Sequence, residues 1–284
     1  MPCAIVAVAI RAPRRLNPLA RIATLVAPPP LILAYHGISA VDPRHDPSRL
    51  FVPPERFRHQ VERVVARGYE LVQMAEFARR LSAGESLERT CVLTFDDGPQ
   101  DNYEQLHPIL RALGAPATIY LCPGLLGARY PWVDPAAGIR MMTANHVREL
   151  SSDPLIEIGS HTVEHSNLGD ASFDEALAEM TASKRAVEDL VQAPTVSFAY
   201  PRCMYSAACP SAAERAGYTS AVTCGGRGGW SAFELRRELI HTPDGALTFA
   251  FKELGLYHRA RELAPLRLGR WITRPYRHRA ERGR

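Results

Sequence analysis

The stretch Cys91-Val92-Leu93-Thr94-Phe95-Asp96-Asp97-Gly98-Pro99 decides how the chain is read. Five uncharged residues, rich in β-branched and aromatic side chains, make a run of the kind buried inside a sheet. Two adjacent carboxylates stop it, and Gly98-Pro99 signals a turn. Taken alone, an ordinary Asp-Gly turn is the plainer account. Two neighbouring carboxylates at a strand end nevertheless repel each other and resist burial, unless a cation or a set of donors offsets them.

The same arrangement recurs on both sides. The run 31–35 (LILAY) leads into His36-Gly37, 117–121 (ATIYL) follows, and 155–158 (LIEI) leads into Gly159-Ser160-His161. The run 196–200 (VSFAY) ends at Pro201-Arg202, and 219–223 (TSAVT) ends before the CGGRGG loop at 224–229. That loop opens no helix and lacks the Lys-Ser/Thr of a phosphate-binding loop, so a plain flexible loop is expected. Helical patterns fall between the runs. Pro53-Pro54-Glu55 opens one with Phe57, Val61, Val64 and Val65 at helical spacing, and others are expected near 103–113, 144–150, 173–190 and 207–216. Six short apolar strands alternating with helices predict a parallel α/β architecture, an open sheet or a barrel. In a barrel the loops after the strands converge on one face, so His36, Asp96, Asp97, His161 and Arg202 can share a site.

The pentapeptide His161-Thr162-Val163-Glu164-His165 supplies the second element of chemistry. Imidazoles four residues apart on one helical turn can both reach a metal, and two histidines with one carboxylate match the three protein ligands of a catalytic zinc site. The same five residues fit the H-x-x-E-H pattern of a zinc protease with Glu164 as base. That alternative needs a long helix and leaves Asp96-Asp97 without a role, so it ranks well below.

Composition narrows the field. With 284 residues, 46% of them hydrophobic and 23% charged, the chain suits a folded domain rather than a disordered one. No run approaches the roughly 20 apolar residues of a membrane-spanning helix; the best, from Ile22 to Tyr35, is broken by Pro28-Pro29-Pro30. The net charge of +4 is unevenly spread: from Arg259 onward nine arginines face two glutamates, leaving a mildly acidic body. Three segments are expected: a variable leader over 1–28, the main domain over 29–255 and a basic Arg-rich tail over 256–284. A solvated end is the plainer account of the tail, and a peripheral contact with anionic membrane the functional one. No nucleic-acid partner is expected, and the oligomeric state is not legible. Six cysteines without a CxxC pair suit a reducing compartment. Cys91, Cys122 and Cys224 are expected as buried thiols, and a Cys203–Cys209 pair is only weakly suggested. Met1–Ile10 lacks a basic flank, so a cytoplasmic location is expected.

From about Leu31 to Asp244 the chain resembles the polysaccharide deacetylase family, carbohydrate esterase family four with its NodB homology domain. The T-F-D-D-G motif stands intact at 94–98 and H-[ST]-x-x-H at 161–165, each after a strand. The resemblance implies a distorted (β/α)7 barrel in a single main domain, and zinc (Zn2+) or another divalent transition metal held by Asp97, His161 and His165. It implies Asp96 as general base and an N-acetylated glycan as substrate, with acetate released. The third motif, Phe198-Ala199-Tyr200-Pro201-Arg202-Cys203, resembles F-A-Y-P-Y-G with Arg for Tyr and Cys for Gly. Tyr200, Pro201 and Arg202 are therefore the expected substrate-binding turn, with the Arg202 N–H at the oxyanion. Cys203 matters if its position needs positive φ, which a side chain disfavours. Two histidines compete as general acid. Leu239-Ile240-His241 matches the usual late L-x-H motif, whereas Ala34-Tyr35-His36-Gly37-Ile38-Ser39 resembles a circularly permuted subgroup in which His36 holds that role. His36 is favoured because it ends a clean buried strand. Trp132, in the segment Tyr130-Pro131-Trp132-Val133-Asp134, is expected either to stack on a sugar or to pack on the barrel rim. The altered third motif also leaves room for a catalytically silent glycan-binding barrel.

Overall fold

The computed structural model describes residues 28–224 and 228–257. The leader, apart from Pro28, the tail beyond 257 and the middle of the CGGRGG loop lie outside the described residues. The eight strands are β1 (Leu31–Tyr35), β2 (Glu70–Val72), β3 (Thr90–Phe95), β4 (Ala117–Leu121), β5 (Ile156–Ser160), β6 (Ser197–Ala199), β7 (Ser220–Cys224) and β8 (Leu235–Leu239). All pairings are parallel, in the order β1-β8-β7-β6-β5-β4-β3, and β1 also pairs with β3, which closes a seven-stranded barrel. The eighth strand explains the distortion. β3 bonds β1 over 91–95, but on its other edge gives Thr90–Val92 to β2 and only Thr94–Phe95 to β4. β2 thus wedges the barrel open at one end.

Strands buried on both faces read as continuous apolar runs, and every residue of β1, β3, β4 and β7 is buried. Leu33, Tyr35, Leu93, Phe95 and Ile119 face outward against helix α1 (Pro54–Ala66) and its neighbours, with Phe57, Val61 and Val64 in the same cluster. Tyr35, Phe57 and Phe95 form a triangle of ring contacts 5.3–5.6 Å apart. Ile32, Val92, Tyr120, Val222 and Leu235 belong to another cluster, capped by Met74 and Phe77 of α2 (Met74–Ser82).

Further along lie α3 (His107–Leu113), α4 (Ala144–Ser151), α5 (Phe173–Val191), α6 (Cys209–Arg215) and α7 (Ala246–Glu253). α4 and α5 start at Thr143 and Ser172 capping boxes, which satisfy their first N–H groups. The expected helix over 103–113 opens instead with a π turn, Asn102–Leu106, where Asn102 donates to the His36 carbonyl at 3.0 Å. Two strands escape the apolar pattern: β2 is three residues long, and β8 (LRREL) sets three consecutive charged residues between two leucines. No helix among the described residues is long and apolar enough to cross a membrane.

Truncating Phe57 to alanine should cost about 3–5 kcal/mol of stability, as for other buried aromatic rings. Urea unfolding should show this as a lower midpoint with an unchanged slope, and a loss below ~1 kcal/mol would contradict the packing described.

Candidate active site

Asp96 and Asp97 leave β3 in opposite directions. The Asp96 N–H donates to the Tyr35 carbonyl at 2.9 Å, which continues the β1–β3 ladder. Asp97 and Gly98 then adopt φ of 72° and 81°. The turn must be this tight, because a Cβ on Gly98 would come within 2.6 Å of Leu121. Asp96 meets the guanidinium of Arg237 in a bidentate pair at 2.6 and 2.7 Å. Arg237 is fully buried, and it also donates to Thr94 Oγ1 at 3.0 Å and to the Thr223 carbonyl at 3.3 Å. Burial raises the Asp96 carboxyl, but the charge and hydrogen bonds of Arg237, with the neighbouring imidazoles of His161 and His36, together outweigh it and hold the group well below the usual carboxylate range.

Asp97 meets different company. Its Oδ1 lies 3.6 Å from Nε2 of both His161 and His165. Ligand atoms of the three residues all fall within 4.8 Å of one another. The Asp97 Oδ2 accepts from the Tyr130 hydroxyl at 2.6 Å. His161 places Nδ1 2.7 Å from the Ala199 carbonyl, which can only accept, so Nδ1 carries the proton and Nε2 offers its lone pair inward. Burial and the Asp96 charge push the Asp97 carboxyl up to about 8. Burial also lowers both imidazoles, His165 to about 2 with the help of His161. A buried carboxylate oxygen with no hydrogen bond, faced by two neutral imidazoles, is a donor set that fits a divalent cation.

The loop carrying these imidazoles is not the helical turn expected from four-residue spacing. Thr162 and His165 both take positive φ, 64° and 62°. Such backbones cost on the order of 1–3 kcal/mol each and persist only where their surroundings impose them. Here Glu179 accepts from the Val163 N–H at 2.7 Å, Thr162 Oγ1 accepts from the Ser166 N–H at 2.8 Å, and the Val163 carbonyl accepts from the Gly124 N–H at 2.8 Å. Glu164 is exposed and the segment is not helical, which overturns the zinc-protease alternative. Trp132 packs on His165, ring centroids 4.3 Å apart, with Tyr130 behind it at 5.0 Å.

His36 follows β1 directly beside β3, and the Tyr35–Phe95 register sets it next to Asp96. His241 follows β8, from which β3 is separated by β1, and its N–H donates to Asp244 at 2.8 Å. In the third motif Tyr200 is fully buried and donates to the Phe233 carbonyl at 3.0 Å, so its ring supports the turn from within. Arg202 is exposed, and Cys203 does adopt positive φ, 57°, as does Arg202 at 55°. Cys203 is joined to Cys224 in a disulfide, with Cα atoms 5.2 Å apart. This corrects both the Cys203–Cys209 pairing and the expectation of a buried Cys224 thiol; Cys91, Cys122 and Cys209 are free and buried. The residue that sequence reasoning missed is Arg237. The segment Leu235-Arg236-Arg237-Glu238-Leu239 carries no alternation that would mark it as a strand, because its inward position is charged.

Residues 83–221 match the family model described as polysaccharide deacetylase. Among curated proteins, the chain is 29% identical over 193 residues to a Bacillus subtilis protein named putative polysaccharide deacetylase YxkH, covering 68% of this chain and 63% of that protein. It is 29% identical over 143 residues to the Escherichia coli poly-beta-1,6-N-acetyl-D-glucosamine N-deacetylase, covering 46% of this chain and 20% of that protein. The chain thus spans less than two thirds of the length of these curated relatives. Among solved structures, the Streptococcus pyogenes deacetylase PplD in complex with acetate superposes with a TM-score of 0.64 at 27% identity, over 78% of this chain and 97% of that one. IcaB from Ammonifex degensii, at 17% identity and TM-score 0.68 over 80% of this chain and 97% of its own, shares the fold.

Two outcomes test this geometry. Zinc added at pH 7 to protein stripped with a chelator should displace a proton from Asp97, because burial and the Asp96 charge push its carboxyl up to about 8. Calorimetry in buffers of different ionisation enthalpy reads that proton, and Asp97→Ala should lose both the proton and the binding. Arg237→Met should cost about 3–5 kcal/mol, since it strands a buried carboxylate; a chemical melt equal to the parent's would refute the pair.

Proposed function

We propose that the chain, whose residues 83–221 match the polysaccharide deacetylase family model, is a metal-dependent hydrolase. It removes N-acetyl groups from an N-acetylhexosamine-containing polysaccharide, oligosaccharide or glycolipid precursor and releases acetate. The observation that carries this is the division of labour between two consecutive carboxylates. Asp97 joins two imidazoles, while Asp96 is held charged one residue away by a buried arginine.

In this proposal Asp97, His161 and His165 hold zinc. Asp96 takes the proton of the attacking water, and Arg237 orients the accepting oxygens. A carboxylate held this low is a weak base, so the transfer requires an acidified water and a polarised carbonyl, which a bound divalent cation supplies. The backbone N–H of Arg202 stabilises the oxyanion as the acetamide carbon becomes tetrahedral. That N–H takes no part in closing its own turn, where Cys203 donates to Tyr200 and Met204 to Pro201. His36 returns a proton to the departing amine, the role its place beside Asp96 supports better than that of His241. Trp132, half-buried over His165, offers a flat apolar edge for a sugar ring. The relatives' names support a glycan substrate.

Acetate release from N-acetylglucosamine oligomers, β-1,4- and β-1,6-linked in parallel, tests the proposal with zinc present. Asp96→Asn should lower kcat by about 10²–10⁴-fold while zinc content stays at the parent level. His36→Ala should cost more activity than His241→Ala. An Asp96→Asn protein as fast as the parent would overturn the assignment.

A further inference from the structure

The turn after β6 holds two consecutive L-residues in the left-handed region, Arg202 and Cys203. A glycine would take that backbone freely; a cysteine does not. Only surroundings that leave the chain no alternative keep such a pair in place. On one side the turn is anchored by Tyr200, whose N–H donates to the Val222 carbonyl at 3.1 Å and whose hydroxyl reaches the Phe233 carbonyl. On the other side Ser206 donates to the Leu168 carbonyl at 2.9 Å. Between these anchors the turn's own bonds are two, Cys203 N–H to Tyr200 at 3.1 Å and Met204 N–H to Pro201 at 3.0 Å.

Register supplies a third anchor. β6 and β7 pair with Ala199 beside Val222, so the turn emerges next to the end of β7, where Cys224 sits buried in the strand. The Cα separation of Cys203 and Cys224, 5.2 Å, lies within the span a disulfide bridges. We propose that the Cys203–Cys224 disulfide is a positioning crosslink that holds the turn in its left-handed form, replacing glycine's freedom with a covalent tie and keeping the Arg202 N–H aimed at the oxyanion. The proposal rests on the deacetylase reading for the purpose of that N–H, though not for the tie itself. Cys203 is partly exposed, so a reductant can reach it.

A phosphine reductant tests it on the zinc-loaded full chain. The phosphine gives two electrons to the S–S bond and becomes a phosphine oxide with an oxygen from water, whose two protons leave Cys203 and Cys224 as thiols. Reduction, or Cys224→Ser, should lower kcat by about 10- to 100-fold with KM little changed, because only transition-state stabilisation is lost. Adding Cys203→Gly to Cys224→Ser should recover most of that loss and abolish sensitivity to phosphine, a rescue that a merely structural crosslink would not give. Peptide mapping must find 203 linked to 224 in the unreduced protein; its absence, or a kcat indifferent to reduction when the link is present, overturns the proposal. If no form releases acetate, the deacetylase reading fails and amide exchange decides the tie. Exchange at Cys203 and Met204 should speed up in Cys224→Ser and slow again with Gly at 203; unchanged exchange overturns it.

Discussion

Two carboxylates, adjacent in sequence and almost fully buried, cannot share one environment. Everything at the mouth of the barrel follows from separating them. The left-handed step at Asp97 turns its side chain away from Asp96. Asp96 is then neutralised by an arginine rooted in β8, on the opposite side of β1 from β3. Asp97 is left beside imidazoles from the loop after β5 and a phenol from the loop after β4. Closure of the sheet between β1 and β3 makes the arrangement possible, since it brings the ends of β3, β5 and β8 round one rim. Without a compensating charge for each carboxylate, the repulsion and desolvation would push one of them to protonate.

The fold was legible where strands are buried on both faces, because LILAY, CVLTF and ATIYL carry no charged residue that could mislead. It was illegible where the barrel interior is charged. β8 presents Arg237 inward and so reads as a surface segment, and β2 is too short to carry any period. At the site, residue type and position after a strand were enough to pick out Asp96, Asp97, His161 and His165. The conformation that joins them was not. Nothing in the composition of HTVEH announces that Thr162 and His165 take positive φ, since Glu179, which holds the loop, lies on a helix further along the chain. The Cys203–Cys224 bond was hidden for a similar reason, as only the β6–β7 register makes these two cysteines neighbours.

Strain accumulates at this rim and nowhere so densely elsewhere among the described residues. Of the eight non-glycine residues with positive φ, five (Asp97, Thr162, His165, Arg202 and Cys203) lie in the three loops that form the site. Each of the three loops is tied to an element outside itself, through Tyr130 at Asp97, Glu179 at Val163 and Cys224 at Cys203, so the rigid barrel bears the cost of presenting these side chains and amides.

The phenol of Tyr130 has one more effect. By donating to Oδ2 of Asp97, it leaves Oδ1 as the oxygen that would face an ion held with His161 and His165. A donor set of two imidazoles and one carboxylate oxygen would be poorly suited to calcium or magnesium, which favour shells built from oxygen. It suits borderline ions that accept imidazole and low coordination numbers. A tyrosine outside the three-residue donor set would thus help to decide which ion the barrel mouth prefers.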